Sequence, residues 1–310
     1  MGDRPAFSNL MKEIKTGKFV FTGELEPTKM VDISEIIHSA EAMKEYVVAA
    51  NVTDGPQGMA YINSLIPSYL VQEKVGLETV YQMTVRDRNR IALFGDILAA
   101  ACVGIKNVLA LTGDHSALGD NPGAKSVYDL DSTQFVYLLG KMIDENTDIY
   151  GNEIETGKVE MNVGIAANPN ASPREAEILK VGRKVAVGAD YIQTQTAFDI
   201  DDAKDFIKEL SRYNCPILLG LFPLKNYGIA SYFDKFIPGV SVPEDLLKNL
   251  KHVKKNIKDK KERKVKIDEI NLEFFVPFIR EIKKSTAAAG IHCMAVHYER
   301  LFEPLLKEFR

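Results

Sequence analysis

Short runs of strand-forming residues alternate with helix-spaced segments along the whole of this 310-residue chain. The strand-like runs are 19–25, 47–52, 79–84, 107–112, 160–167, 190–195, 216–221 and 290–296. Helical patterns follow them, for example Ile33, Ile36, Ile37, Ala40 and Met43 on one face after the first run. Eight strand–helix units match a (β/α)8 TIM barrel in count and length. The competing architecture, an open doubly wound sheet, commonly has fewer strands and a glycine-rich first turn. No G-x-G-x-x-G follows the first run here. The expectation is therefore an α/β fold, one barrel domain spanning residues 1–310.

Local signals refine that picture. Asp32 with Glu35 reads as a capping-box start, and Ser172, Pro173 and Glu175 read as N-cap, first helical residue and capping acid. Further helices are expected near 60–75, 89–103, 131–143, 243–256 and 268–285. Residues 144–158 read as an exposed inserted loop. The lysine-rich run 254–266, between strands seven and eight, reads as a solvated charged insertion because acids are interspersed.

Charge and residue usage exclude several functions. The chain has 39 basic and 43 acidic residues, a net charge of −4, which argues against nucleic acid as its main partner. No apolar run reaches membrane-spanning length, and residues 1–18 lack the apolar centre of a signal peptide. Cys102, Cys215 and Cys293 are far apart and form no CxxC, so they are expected to be buried thiols in a reducing cytoplasm. The five histidines (38, 115, 252, 292, 297) show no HxH or HExxH spacing, so no metal site is expected. No Ser or Cys nucleophile has a matching His. The chemistry then needs either a cofactor or acid–base catalysis alone.

In a barrel, chemistry gathers where the strands end. Those ends read Glu24 and Glu26; Thr53 and Asp54; Gln82 and Thr84; Thr112, Gly113 and Asp114; Asn168 and Asn170; Thr194 and Gln195; Lys225 and Tyr227; His297. Such a rim of amides and carboxylates suits a polar heterocycle needing paired donors and acceptors. Glu24 and Glu26 are two apart and share a face in an extended chain, so geometry does not choose between them. His292 and His297 are five apart and should face opposite sides, with His297 the one able to reach the mouth. Lys180, Arg183 and Lys184 share a helix face, either as a phosphate-binding cluster or as a solvated basic stripe.

Taken in order, Gly23-Glu-Leu-Glu-Pro27, Val52-Thr53, Leu111-Thr-Gly-Asp114, Arg183-Lys184 and Thr194-Gln195 with Phe198-Asp199 resemble the methylenetetrahydrofolate reductase family. The match runs from about residue 18 to 300 and resembles the catalytic barrel of the compact bacterial form. The resemblance implies FAD-dependent reduction of methylenetetrahydrofolate to methyltetrahydrofolate. It implies that Glu24 is the general acid and that Asp114 lies by the flavin and binds the pterin. It implies flavin contacts from Thr53, Gln82, Thr112, Gly113, Asp114, Tyr128, Asn168, Lys180, Arg183 and Lys184, and substrate contacts from Gln195 and Tyr227. The electron donor implied is NAD(P)H or a partner redox subunit, compatible with a homo- or a hetero-oligomer. Three positions depart from the family pattern, all on the ribityl-adenine side of the flavin. Gln82 replaces a frequent His, the loop 167–173 differs, and Lys180 stands where a polar amide is usual. An alternative is therefore a folate- or pterin-binding barrel subunit without redox activity. A weaker one is an aldolase-type barrel using Lys225 as a Schiff base.

Overall fold

Eight strands in the computed structural model, which describes residues 4–237 and 239–309, close into one parallel barrel in chain order. They are β1 (Val20–Leu25), β2 (Ala49–Val52), β3 (Glu78–Thr84), β4 (Asn107–Leu111), β5 (Asn162–Ala167), β6 (Tyr191–Thr196), β7 (Ile217–Leu221) and β8 (Gly290–Cys293). β8 returns to β1 through Val20↔Gly290, Phe21↔Ile291 and Thr22↔His292. Helix α1 (Asn9–Lys15) precedes the barrel. α2 (Ser34–Met43), α3 (Leu65–Val75), α4 (Arg90–Cys102), α5 (Ser132–Gly140), α6 (Arg174–Ala186) and α7 (Ile200–Leu210) follow β1 to β6 in turn. β7 is followed by α8 (Tyr227–Phe236), α9 (Glu244–Asn256) and α10 (Lys260–Ser285), and β8 by α11 (Phe302–Leu306). This is the (β/α)8 barrel that the alternation predicts. No helix among the described residues is long and apolar enough to cross a membrane.

The two faces of each strand build two cores. On β1, Phe21 and Leu25 face outward and join Ile36, Ala40 and Met43 of α2 in the layer between strands and helices. Gly23 shares that face because a Cβ there would stand 2.6 Å from Met43 Sδ. Inside the barrel, Val20, Ala49, Val80, Leu109, Tyr191 and Leu218 form an apolar lower layer, and α1 plugs it with Leu10, Met11 and Ile14. Full burial of such a side chain contributes about 1.5–3 kcal/mol. The first turn of α1 is anchored by polar groups at the strand starts. Phe7 and Ser8 donate their N–H groups to Asn162 Oδ1, and Asn9 and Leu10 donate theirs to the Glu78 carboxylate. The plug closes the lower end of the barrel interior, so the interior opens at the other end.

Several boundaries differ from expectation. The Asp32–Glu35 capping box does not form: Asp32 Oδ1 accepts from Ser34 N–H and hydroxyl, and Ile33 is the N-cap. Pro173 keeps an extended ψ of 142° after a cis Ser172–Pro173 bond, so it caps α6 and does not begin it. α3 starts at Leu65, whose N–H donates to Asn63 Oδ1, and Pro56–Gly58 forms a separate 3-10 turn before it. The run 254–266 is mostly helix: it closes α9 and opens α10, where Asp259 accepts from Lys261 and Glu262 N–H. α5 continues into a π-helical turn, Lys141–Glu145, before the loop, which carries an antiparallel Thr147↔Glu153 bridge. Cys102 is exposed at the end of α4, contrary to its expected burial, while Cys215 and Cys293 are buried.

Candidate active site

Above the apolar layer the inward residues turn polar, and the strand ends open into a cleft of about 530 Å³. Its floor is made by Glu24 of β1, Asn51 of β2, Gln82 of β3, Gln193 of β6 and His292 of β8. Asn51 and Gln193 exchange amide hydrogen bonds across the barrel, Nδ2–H to Oε1 at 3.0 Å and Nε2–H to Oδ1 at 3.3 Å. Each buried amide thus satisfies the other. Glu24 Oε2 accepts from Gln82 Nε2 at 3.2 Å and lies 3.4 Å from His292 Nε2. His292 Nδ1 in turn lies 2.9 Å from Thr22 Oγ1. The Glu24 side chain is 14% exposed and that of His292 3%. One edge of the Glu24 carboxyl is therefore held in the wall while its side chain lines the cleft.

The two carboxylates of the first strand end are separated by this geometry. Glu24 lines the cleft and Glu26 does not. Burial, and then the charge of Glu24, push the Glu26 carboxyl above the usual range, while His297 and Lys225 pull it down. β8 ends at Cys293, earlier than expected, and His297 sits beyond it, exposed, with a left-handed φ of 53° and away from the cleft. Lys225 donates to the Val296 carbonyl.

The loops after β2 and β4 are tied into a single wall. Gly113 has φ +83°, and a Cβ there would stand 2.9 Å from Thr84 Cβ, so glycine is required. Asp114 Oδ2 accepts from Gln57 N–H at 2.7 Å. Arg86 Nη1 donates to the carbonyls of Gly55 and Asp114, one from each loop. Ala60 N–H donates to Asp120, which also pairs with Lys29. Beneath the wall, buried Asp54 accepts from Thr84 N–H and hydroxyl and from Arg88. Burial opposes the Arg88 charge, yet Asp54 together with Tyr81 and Asp96 holds its pKa above the ordinary value.

The opposite wall carries Asn168, Glu177, Lys180, Lys184, Gln195, Phe222 and Phe233. The three cations of α6 part company here. Lys180 pairs with Glu177, whose other oxygen accepts from Asn168 N–H. Lys184 is buried, and its ammonium donates to the Ala166 carbonyl. Burial, then the neighbouring Lys180 charge, lower its pKa to about 8. Arg183 points away, exposed and outside the cleft. Tyr128 and Tyr227 are likewise absent from the cleft lining. Tyr128 lies 6.5 Å from the His115 ring. The ring of Tyr227 carries the Lys251 and Lys254 ammonium groups at 5.9 and 5.4 Å.

Two polar atoms of the cleft lack partners: the hydroxyls of Thr53 and Thr196 are buried without any hydrogen bond among the described residues. Among those residues no group of three or more His, Cys, Asp or Glu is placed to hold a metal. The sequence reading missed Asn51, Gln193 and His292 because it looked at strand ends and not one layer deeper. The available signal was the two-residue spacing of Thr22 and Glu24, Asn51 and Thr53, Gln82 and Thr84, and Gln193 and Gln195 within apolar strands.

Comparison with known proteins bears on this cleft. A protein from Caenorhabditis elegans, a probable methylenetetrahydrofolate reductase (NADPH), is 23% identical over 234 residues, covering 75% of this chain and 32% of the relative. Methylenetetrahydrofolate reductase (NADH) 1 of Arabidopsis thaliana is 24% identical over 292 residues, covering 89% of this chain and 45% of the relative. The chain thus spans less than half the length of either curated relative. Among solved structures, a Clostridium thermocellum protein that binds two copies of 5-methyl-5,6,7,8-tetrahydrofolic acid shares the fold, with a TM-score of 0.63 and 16% identity over 97% of this chain and 99% of that one. The family model for methylenetetrahydrofolate reductase matches residues 9–310, and the chain belongs to that family.

Proposed function

We propose that this barrel reduces methylenetetrahydrofolate to methyltetrahydrofolate, with FAD as cofactor and Glu24 as the proton donor. The observation that carries the proposal is the Glu24 carboxyl, held on its wall side by Gln82 and His292 and presented to a cleft of polar amides and hydroxyls. Family membership supports the reaction, and the folate bound by the Clostridium thermocellum protein of the same fold supports the ligand class.

The residues fit the cofactor. The amide side chains of Gln82, Asn168 and Gln195, which line the cleft, offer both donors and acceptors to a heterocycle edge. Thr53, Gln82, Thr112, Gly113, Asp114 and Asn168 all line the cleft and would hold the flavin between its walls, with Lys180, which pairs with Glu177, as the cation for its diphosphate. Lys184 lines the same wall, but its ammonium is committed to the Ala166 carbonyl. FAD, when bound, supplies the hydride. NAD(P)H or a partner redox subunit would supply the electrons.

The chain's own residues manage the proton. Glu24 delivers it to a bridging nitrogen of the substrate's five-membered ring. The carbon–nitrogen bond then breaks with its electron pair going to that nitrogen, which leaves an iminium able to accept hydride. Asp114, with Oδ2 fixed by Gln57, and Gln195, exposed in the cleft, are placed to pair with the pterin edge.

Two measurements test this. Purified protein should be yellow or take up added FAD, and colourless protein that binds folate but no FAD would favour a non-redox folate-binding subunit. Glu24→Gln should lose folate reduction while its flavin is still reduced by the donor; full folate turnover in that variant would refute the acid assignment.

A further inference from the structure

The two neighbours of Glu24 both contact the same oxygen. Gln82 Nε2 and His292 Nε2 reach Oε2, and no hydrogen bond among the described residues reaches Oε1. What His292 offers to Oε2 depends on which ring nitrogen carries its proton. That is decided from the other side of the ring. The Thr22 hydroxyl is fully buried, and its one hydrogen bond among the described residues is the contact with His292 Nδ1. If Nδ1 carried the proton, the Thr22 O–H would be a buried donor without an acceptor, which is costly. Thr22 therefore donates to Nδ1, the ring proton sits on Nε2, and Nε2–H points at Glu24.

We propose that His292 is a positioning residue for the reaction, its tautomer set by Thr22, that pins Glu24 through Oε2 and leaves the transferable proton on Oε1, facing the cleft. This rests on the reading of Glu24 as the acid. The arrangement fixes the carboxyl plane through two N–H donors on one oxygen, so the acid cannot turn its proton into the wall. The same two donors stabilise the charge that appears when the proton leaves. His292 itself exchanges no proton in this scheme, which separates it from a relay.

The 15N chemical shifts of the His292 ring in isotopically labelled protein read the tautomer directly, with no reliance on activity. A proton on Nε2 is expected, and Thr22→Val should remove that exclusive preference. A proton on Nδ1 in the wild type would overturn the proposal. In turnover, His292→Leu should lower kcat for folate reduction about 10- to 100-fold, as for loss of one hydrogen bond to a charged group. KM should stay within about twofold, and methyltetrahydrofolate binding should persist as proof of folding. His292→Gln places an amide N–H near the position of Nε2 but cannot shuttle a proton, so it should recover most of that loss. Undiminished kcat in His292→Leu, or equal impairment in both variants, would overturn the positioning role. Full activity of Glu24→Gln would instead bring down the underlying acid assignment, whichever tautomer the ring shows.

Discussion

Asp54→Asn keeps the shape of a buried side chain beneath the cleft wall and removes its charge and one of its two acceptor oxygens. Asp54 Oδ2 takes three donors: Thr84 N–H at 2.8 Å, Thr84 Oγ1–H at 2.9 Å and Arg88 Nη1–H at 2.6 Å. The side chains of Arg88 and Asp54 are 11% and 8% exposed, so the neutral amide would leave a guanidinium without its main counter-charge in a dry setting. Removing one partner of such a pair costs about 3–5 kcal/mol. Arg88 keeps Asp96 at 2.9 Å and the Thr84 carbonyl at 3.2 Å, which places this case at the lower end, about 3 kcal/mol. For 310 residues, an unfolding entropy of about 2.1 cal/mol/K per residue gives about 0.65 kcal/mol/K, and the midpoint should fall by about 5 °C. Differential scanning calorimetry on wild type and variant reads the shift. The double variant Asp54→Asn with Arg88→Met removes both charges while an amide oxygen can still accept from Thr84, and should recover most of the loss. A midpoint within about 1 °C of wild type for Asp54→Asn, or a double variant as unstable as the two single changes summed, would refute the idea of a coupled buried pair.

Two further predictions concern the opposite wall and the thiols. The Lys184 pKa is lowered to about 8 from 10.5, first by burial, so the folded state resists its charged form. That penalty is fully present below about pH 8 and is relieved as pH rises toward 10.5, so wild-type stability should increase across this window. Lys184→Met should therefore be more stable than wild type at neutral pH by about 3 kcal/mol, less its bond to Ala166. The advantage should shrink as pH rises, measured by urea unfolding at several pH values; an advantage independent of pH would refute the reasoning. Thiol titration of the native protein should find one fast-reacting group, Cys102, since burial pushes both Cys215 and Cys293 up to about 12. Three fast thiols would contradict the closed packing around β7 and β8.

The barrel was legible because its strands carry long apolar stretches and each is followed by a helix-spaced segment. The strand-end residues Glu24, Thr53, Gln82, Thr112, Gly113, Asp114, Asn168 and Gln195 do line one cleft, together with Lys180 and Lys184 of α6. Periodicity gives a residue's face, and position along the strand gives its height. It does not give the rotation of a helix about the barrel. That is why Arg183, one residue from buried Lys184, points out, and why the ring of Tyr227 meets the lysines of α9. His292 was hidden for a different reason. Its partners Thr22 and Glu24 are about 270 residues away in sequence, joined only when β8 closes on β1. Glu26 and Glu24 could be separated only once Pro27 and the loop beyond had a path in space.

The helical plug bears on how such a chain comes into being. α1 is made before any strand, yet its seat is built from Val20, Ala49, Val80, Leu109, Tyr191 and Leu218, contributed by six strands from β1 to β7. Its N–H groups wait for Glu78 and Asn162, on β3 and β5. A sheet lacking β6 and β7 offers this helix both polar anchors but only part of its apolar seat. Although α1 precedes every strand in the chain, its full seat exists only once strands as far apart as β1 and β7 have come together.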